Sequence, residues 1–386
     1  MTVPASAASV LEIDLDAVRA NWRLLDARAR PGRAAAVLKA DAYGLGAGRV
    51  APALWAEGCR AFFAARLAEA AQVRRLLPRA AVACLDGLMP GTGPECLAHG
   101  VVPVLNRLDE IEAWRDLARA TGRRLPAIVH LDTGMNRLGL DGDEAGRLAA
   151  NPDRYLGGLD LRLWMTHLAC ADDPGDPATA AQAARFRDLR ARLPAAPWSI
   201  ANSSGLFRAE ASGGDLARPG AALYGVNPTP EAPNPMRPAV RLRSRVLQVR
   251  RVDAPQAVGY GAAHRVVRPG RIATIATGYA DGYPRILGAK GTVALAGRTA
   301  PVVGRISMDL ITVDVTDWPE GAPAVGDLVD LIGPHRDVDA VAAEAGTIGY
   351  EILTSLGRRH HRVHLGADAP DEAGAAPLPP EAAWAS

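Results

Sequence analysis

Between about residues 34 and 225, short apolar runs alternate with amphipathic stretches, and this alternation limits the folds open to the chain. The runs AAAVLKA, AFFAAR, AVACLDG, VVPVLN, PAIVHLD, LRLWMTHLA, WSIANS and the segment ending in AALYG read as buried strands. Segments such as LAEAAQVRRLLP and TAAQAARFRDLRARLP lie between them and read as helices. In RLDEIEAWRDLARATG the apolar residues Leu108, Ile111, Trp114 and Leu117 form a helical stripe. Alternation alone also suits a doubly wound sheet. The count decides: eight strand-like runs, seven intervening segments and a further helical stretch near 16–29 match a (β/α)8 TIM-type barrel. The expected fold class is α/β, with the barrel over residues 10–230.

A break follows at VNPTPEAPNPMRP (226–238), which holds five prolines in thirteen residues. Beyond it VRLRSRVLQVRRV alternates at period two, and strand-like pieces recur at RIATIAT, GTVALAG, ITVDVTD and DLVDLIG. Residues 238–366 therefore read as a mostly β domain. The Ala-, Pro- and acid-rich stretch 367–386 has the composition of a disordered tail.

Hydrophobic residues make up 48% of the chain, ample for a sizeable core. The 44 basic and 42 acidic residues leave a net charge of +2, which argues against a nucleic-acid partner. No uncharged apolar run reaches the ~18 residues of a membrane span. The start, MTVPASAASVLEIDLD, lacks a basic leader region and meets acids at Glu12 and Asp14, so a cytoplasmic location is expected. Cys59, Cys84, Cys96 and Cys170 are scattered and fit reduced thiols better than a disulfide or zinc framework. Just two of the basic residues are lysines, Lys39 and Lys290. Coding bias accounts for such a composition, yet a lysine that survives it can be one whose amine arginine cannot replace.

Barrel enzymes place their chemistry at the C-terminal ends of the strands. Lys39 ends the first run in VLKADAYGLG (37–46), and Arg137 follows the fifth in HLDTGMNRLG (130–139). His167 ends the sixth, Asn202 and Ser203 the seventh, and Arg218 and Gly220 lie in the eighth. A strand-end lysine can simply snorkel to solvent. Facing arginine and histidine across a barrel mouth, it would instead lose its proton more readily, as a Schiff-base lysine must. Ser203, Gly220 and the amides after them lie where barrels commonly hold a phosphate. Lysine and phosphate cup together point to pyridoxal 5′-phosphate.

VLKADAYGLG, HLDTGMNRLG, THLACAD (166–172), NSSG, RPGAALYG, VGYGAAH (258–264), TGYADGYPR (277–285), GRISMD (304–309) and GTIGYE (346–351) occur in the order and spacing of one family. From about residue 10 to 364 the sequence resembles the bacterial alanine racemases, PLP-dependent enzymes of fold-type III. The resemblance implies interconversion of L- and D-alanine by two bases on opposite faces of the substrate Cα. Lys39 would hold the cofactor and act on one face. Tyr260 would act on the other, contributed by the partner subunit of a homodimer with shared active sites. Inverting a stereocentre requires proton removal on one side and delivery on the other. A phenol of pKa about 10 needs neighbouring cationic character to serve near neutrality. In the family the residue matching His167 contacts this tyrosine, and the one matching Arg218 contacts that histidine and the pyridine nitrogen. Tyr43, Ser203, Gly220, Ala221 and Tyr350 match the phosphate cup. Arg137 would hold the cofactor's phenolic oxygen and the substrate carboxylate, with Met308 of the partner offering its backbone amide and Tyr279 narrowing the pocket. Asp172, Arg285 and Arg305 match the approach to the site.

The chain also departs from the family. Many members carry a lysine, often carbamylated, two residues before the Asp of DTGM; here His130 stands there, so another arrangement must orient Arg137. Arg359, His360, His361 and Arg362 replace a usual Arg-Val-Pro-Arg, and the two histidines are expected at a surface or interface. Three other readings compete. A metal-dependent barrel hydrolase could use His130, Asp132, His167 and Asp172. A non-catalytic PLP carrier would lack the second domain, and a racemase of the same fold could act on serine or a broader set of amino acids.

Overall fold

A computed structural model describes residues 3–366, and the stretch expected to be disordered lies outside the described residues. The described chain divides into two compact units: residues 18–237, and residues 3–17 together with 238–366.

In the first unit Ala36–Val37, Ala61–Ala64, Ala81–Cys84, Val102–Leu105, Leu125–His130, Leu159–Met165 and Trp198–Ser199 form one parallel sheet in sequence order. The eighth strand, Leu216–Ala217, pairs in parallel with Arg33–Ala34, just ahead of the first. Backbone bonds complete the ring. Ala35 and Val37 donate to Ala217 and Pro219, while Asp215 and Arg218 donate to Trp198 and Ala201. The barrel is closed.

Several of its strands are buried along their whole length, as helix-covered parallel strands should be. The helix Leu108–Thr121 buries Leu108, Ile111, Trp114 and Ala118, whereas Leu117 is only half-buried. A strict three-residue stripe drifts off a 3.6-residue period, which turns Ala118 inward. Gly122 ends the helix in the left-handed region at φ 63°. In the eighth segment the strand stops at Ala217, and Ala221–Tyr224 is a 3₁₀ turn rather than its continuation.

The second unit is built on an eight-stranded sheet whose spine is Val240–Val252. Residues 240–246 alternate buried and half-buried, the period-two pattern made physical. This strand pairs antiparallel with Ser9–Asp14, Gly270–Ile275 and Leu328–Ile332. Ser9–Asp14 thus belongs to this sheet and also pairs in parallel with His361–Leu365. The sequence reading began the barrel domain at residue 10. Its SVLEID run buries Val10, Leu11 and Ile13 in the other unit, which only long-range pairing reveals. The β unit also contains two helices, Val338–Ala345 and Gly349–Ser355. Among the described residues no helix is long and apolar enough to cross a membrane.

Candidate active site

Lys39 follows the first barrel strand and opens an unusual turn. Ala40, Asp41, Ala42 and Tyr43 all have φ between 53° and 55°. A left-handed residue other than glycine costs about 1–2 kcal/mol, so four in succession represent considerable local strain. The turn aims two side chains. Lys39 Nζ lies 5.9 Å from the centroid of the Tyr43 ring, and that ring lies 4.9 Å from the ring of Tyr224. Tyr224 donates its hydroxyl proton to the carbonyl of Val37 at 2.9 Å, fixing the stack to the strand that carries Lys39.

Tyr43 reaches the end of the eighth strand. A Cβ placed on Gly220 would lie 2.3 Å from the Tyr43 hydroxyl, so only glycine fits beneath that ring. Ser203 Oγ accepts from the amides of Gly220 at 3.0 Å and Ala222 at 3.3 Å. Ala221 begins the 3₁₀ turn. Asn202 Oδ1 accepts from the Gly205 amide at 2.8 Å and so shapes the loop after strand seven. Tyr43, Ser203, Gly220 and Ala221 are thereby brought into one cup of amides and hydroxyls beside Lys39. These donors, a cradle that a Cβ would fill and an adjacent amine suit pyridoxal 5′-phosphate.

Cations crowd the same mouth. Arg218 is buried and donates to the Thr166 carbonyl at 2.5 Å and to Ser199 Oγ. Burial lowers its pKa to about 9, which leaves it charged at neutral pH. Its Nη2 lies 3.5 Å from His167 Nδ1. A guanidinium only donates, so Nδ1 carries the lone pair and Nε2 the proton. Burial and the charges of Arg218, Arg137 and Lys39 hold His167 far below the usual imidazole range. Burial, then Arg137, also lowers the pKa of Lys39, while Asp86 and Glu69 oppose the shift. Arg137 is exposed, and Asn136 before it sits at φ 54°.

His130 is buried, and burial followed by Arg218 pushes its pKa down to about 3. Its Nδ1 lies 2.9 Å from Asn106 Oδ1. The amide group of Asn106 donates to the carbonyls of Val104 and Leu85, so the oxygen faces the ring and Nδ1 bears the proton. A neutral imidazole therefore occupies this position. Asp132 Oδ1 accepts from the amides of Gly134 and Met135, shaping the loop that leads to Arg137. With His130 and Asp132 so engaged, and no metal-suited cluster of His, Cys, Asp and Glu among the described residues, the hydrolase reading has no support.

Tyr260, Tyr279, Met308 and Tyr350 lie in the β unit, large side chains exposed at 72%, 42%, 53% and 41%. Tyr260 opens a 3₁₀ turn after Gly259, at φ 77°. The loops bearing Tyr279 and Met308 are joined, since the amides of Tyr279 and Ala280 donate to the carbonyls of Ser307 and Met308. A Cβ on Gly278 would lie 2.2 Å from the Met308 carbonyl oxygen, so this approach needs glycine. Asp172, Arg285 and Arg305 are exposed.

His360 corrects the sequence reading. It is buried, not at a surface, and bonds Ser9 Oγ at 2.7 Å and the Asp281 carbonyl at 2.9 Å. Arg359 pairs with the carboxylates of Asp281 and Asp309. These residues brace the Tyr279 and Met308 loops, a role visible only once distant strands pair. Asn106 went unnoticed for a different reason: it directly follows the fourth strand, but an amide carries no charge to mark it.

Comparison with known proteins agrees with this geometry. A family model described as the alanine racemase N-terminal domain matches residues 13–228, and one described as the alanine racemase C-terminal domain matches residues 239–364. An alanine racemase of Acidiphilium cryptum is 54% identical over 353 residues, 92% of this chain and 98% of the relative. One from Rhodospirillum rubrum is 48% identical, covering 93% of this chain and 96% of its own. The crystal structure of alanine racemase from Bartonella henselae, with covalently bound pyridoxal phosphate, superposes with a TM-score of 0.90 at 42% identity. It covers 93% of this chain and all of its own.

Proposed function

The chain belongs to the alanine racemase family, and we propose that it works as a homodimer in the cytoplasm, with Lys39 and the partner's Tyr260 as the two bases. The activity itself is the pyridoxal 5′-phosphate-dependent interconversion of L- and D-alanine. When bound, the cofactor supplies an electron sink that acidifies the substrate Cα–H. Lys39 would carry it, with Tyr43, Ser203, Gly220, Ala221 and Tyr350 around its phosphate. Asn202 shapes that cup, and Arg218 would meet the ring nitrogen.

Lys39 suits the role of base because burial and Arg137 already favour its neutral form. Arg137, exposed at the mouth, would hold the substrate carboxylate, assisted by the partner's Met308, while Tyr279 would limit side-chain size. With Nδ1 turned to Arg218, His167 would offer its Nε2–H to the phenolic oxygen of the partner's Tyr260, favouring its loss of a proton. Arg218 holds His167 in that tautomer and neutral. A Tyr260 exposed at 72% supports a role on a surface that another subunit covers.

The observation that carries the assignment is a half-buried Lys39 with lowered pKa beside the loop where Ser203 meets the Gly220 and Ala222 amides and Tyr43 seats on Gly220. Borohydride reduction followed by peptide mapping should place the cofactor on Lys39. Lys39→Ala should lose cofactor absorbance and activity, whereas Lys290→Arg, at an exposed turn, should keep both. Cofactor trapped on Lys290, or activity in the Lys39→Ala protein, would overturn it.

A further inference from the structure

The left-handed turn after Lys39 is held by more than its own backbone. Local bonds include Ala42 donating to the Leu38 carbonyl, Gly44 to Ala40, Leu45 to Ala42 and Gly46 to Asp41. Asp41 Oδ1 adds another from within the segment, accepting from the Ala47 amide at 2.7 Å. Glu69 acts from a different part of the barrel. It sits in the first turn of the helix Leu67–Leu76, which follows the second strand. One of its carboxylate oxygens accepts from the Ala40 amide at 2.8 Å. The other accepts from the amides of Ala65 at 3.0 Å and Arg66 at 3.2 Å. One carboxylate thus ties the exits of two neighbouring strands together, at the peptide that immediately follows Lys39.

We propose that Glu69 is a positioning residue for Lys39, holding the strained turn shut and keeping the amine half-buried over the cup. Backbone in a disfavoured region persists only where its surroundings over-determine it. The Ala40 amide belongs to the peptide directly after the lysine. A carboxylate is also a stronger acceptor for a backbone amide than a neutral group would be. The competing role is local: an acid at this position also caps the helix and meets its dipole. The two roles differ in reach. Aspartate keeps the negative charge at the helix start but is one methylene too short to span from Arg66 to Ala40.

The test exploits a chain with two lysines. The full-length protein, stripped of cofactor with hydroxylamine, is labelled with acetic anhydride at pH 8 and mapped by mass spectrometry, with Lys290 as the in-chain reference. In Glu69→Asp the charges facing Lys39 from Asp86, Arg137 and residue 69 keep their signs, so a changed ratio reports position. We expect Lys39 labelling relative to Lys290 to change several-fold as the amine leaves its half-buried place. The reconstituted enzyme should release pyridoxal 5′-phosphate several-fold faster on dilution, with a thermal midpoint near that of the parent. Glu69→Ala should show the same changes with a lower midpoint; should it fail to fold, the aspartate variant decides. An unchanged labelling ratio and unchanged cofactor retention in Glu69→Asp would reduce Glu69 to a helix cap and overturn the proposal. The inference rests on Lys39 being the cofactor lysine. The labelling ratio reads the turn without cofactor, and borohydride mapping tests that premise separately.

Discussion

Replacing Gly220 with alanine should damage the cup through a single contact. Its φ of −125° lies outside the left-handed region, so alanine meets no backbone penalty of that kind and the cost is steric. The new Cβ would lie 2.3 Å from the Tyr43 hydroxyl and 3.1 Å from Cζ, where ordinary contact begins at 3.4 Å. The hydroxyl must therefore retreat by roughly 1 Å, the scale of overpacking that costs about 1–3 kcal/mol. Little can yield: Tyr43 is 8% exposed, stacked on Tyr224, and set on a left-handed backbone residue. Urea denaturation of the cofactor-free chain holds ligand linkage fixed and should show this loss. Tyr43→Phe removes the offending oxygen and leaves carbons at 3.1 and 3.4 Å, which need only a slight shift. The double variant should consequently be more stable than additivity predicts, by about 1 kcal/mol or more. Additive effects, or a Gly220→Ala protein as stable as its parent, would refute the claim that Tyr43 seats on Gly220.

Two further outcomes test other parts of the site. The pKa of His130 drops from 6.5 to about 3 on folding, so between those values the unfolded chain takes up a proton that the folded chain refuses. Its contribution is complete above pH 6.5 and fades as pH falls, by roughly 2 kcal/mol at pH 5. His130→Gln should flatten that part of the stability–pH curve, and an unchanged slope would contradict a neutral buried imidazole. If the two bases come from different subunits, mixing Lys39→Ala and Tyr260→Phe dimers should restore about a quarter of the parental activity. Half the dimers are then mixed, each with one intact site. Mixed dimers verified by native mass spectrometry that remain inactive would exclude shared sites.

Much of the barrel was legible because local signals and fold agree: a 3.6-residue stripe buries Trp114, and unbroken apolar runs become helix-covered strands. The residues at the strand ends stood out because charge on an apolar run is costly without a purpose. Local pattern could not assign Ser9–Asp14 to a sheet, since an isolated apolar strand carries no record of its partner. Nor could it bury His360, whose environment comes from Ser9 and Asp281, 351 and 79 residues away.

By itself the sequence determined the chemistry on offer: one lysine where an imine can form, serine and glycine after the late strands, and arginines and histidines at strand ends. Tertiary structure decided the states of those groups. Burial and the convergence of Arg137, Arg218 and Lys39 set which imidazoles stay neutral and how readily the amine gives up its proton. Glu69 and Tyr224, unremarkable in the sequence, hold the turn and the ring stack beside that amine. The physical reason is that proton affinity and side-chain aim depend on what surrounds a group in space. Residue type is written in the chain, whereas a neighbour 29 or 187 positions away exists only once the barrel closes.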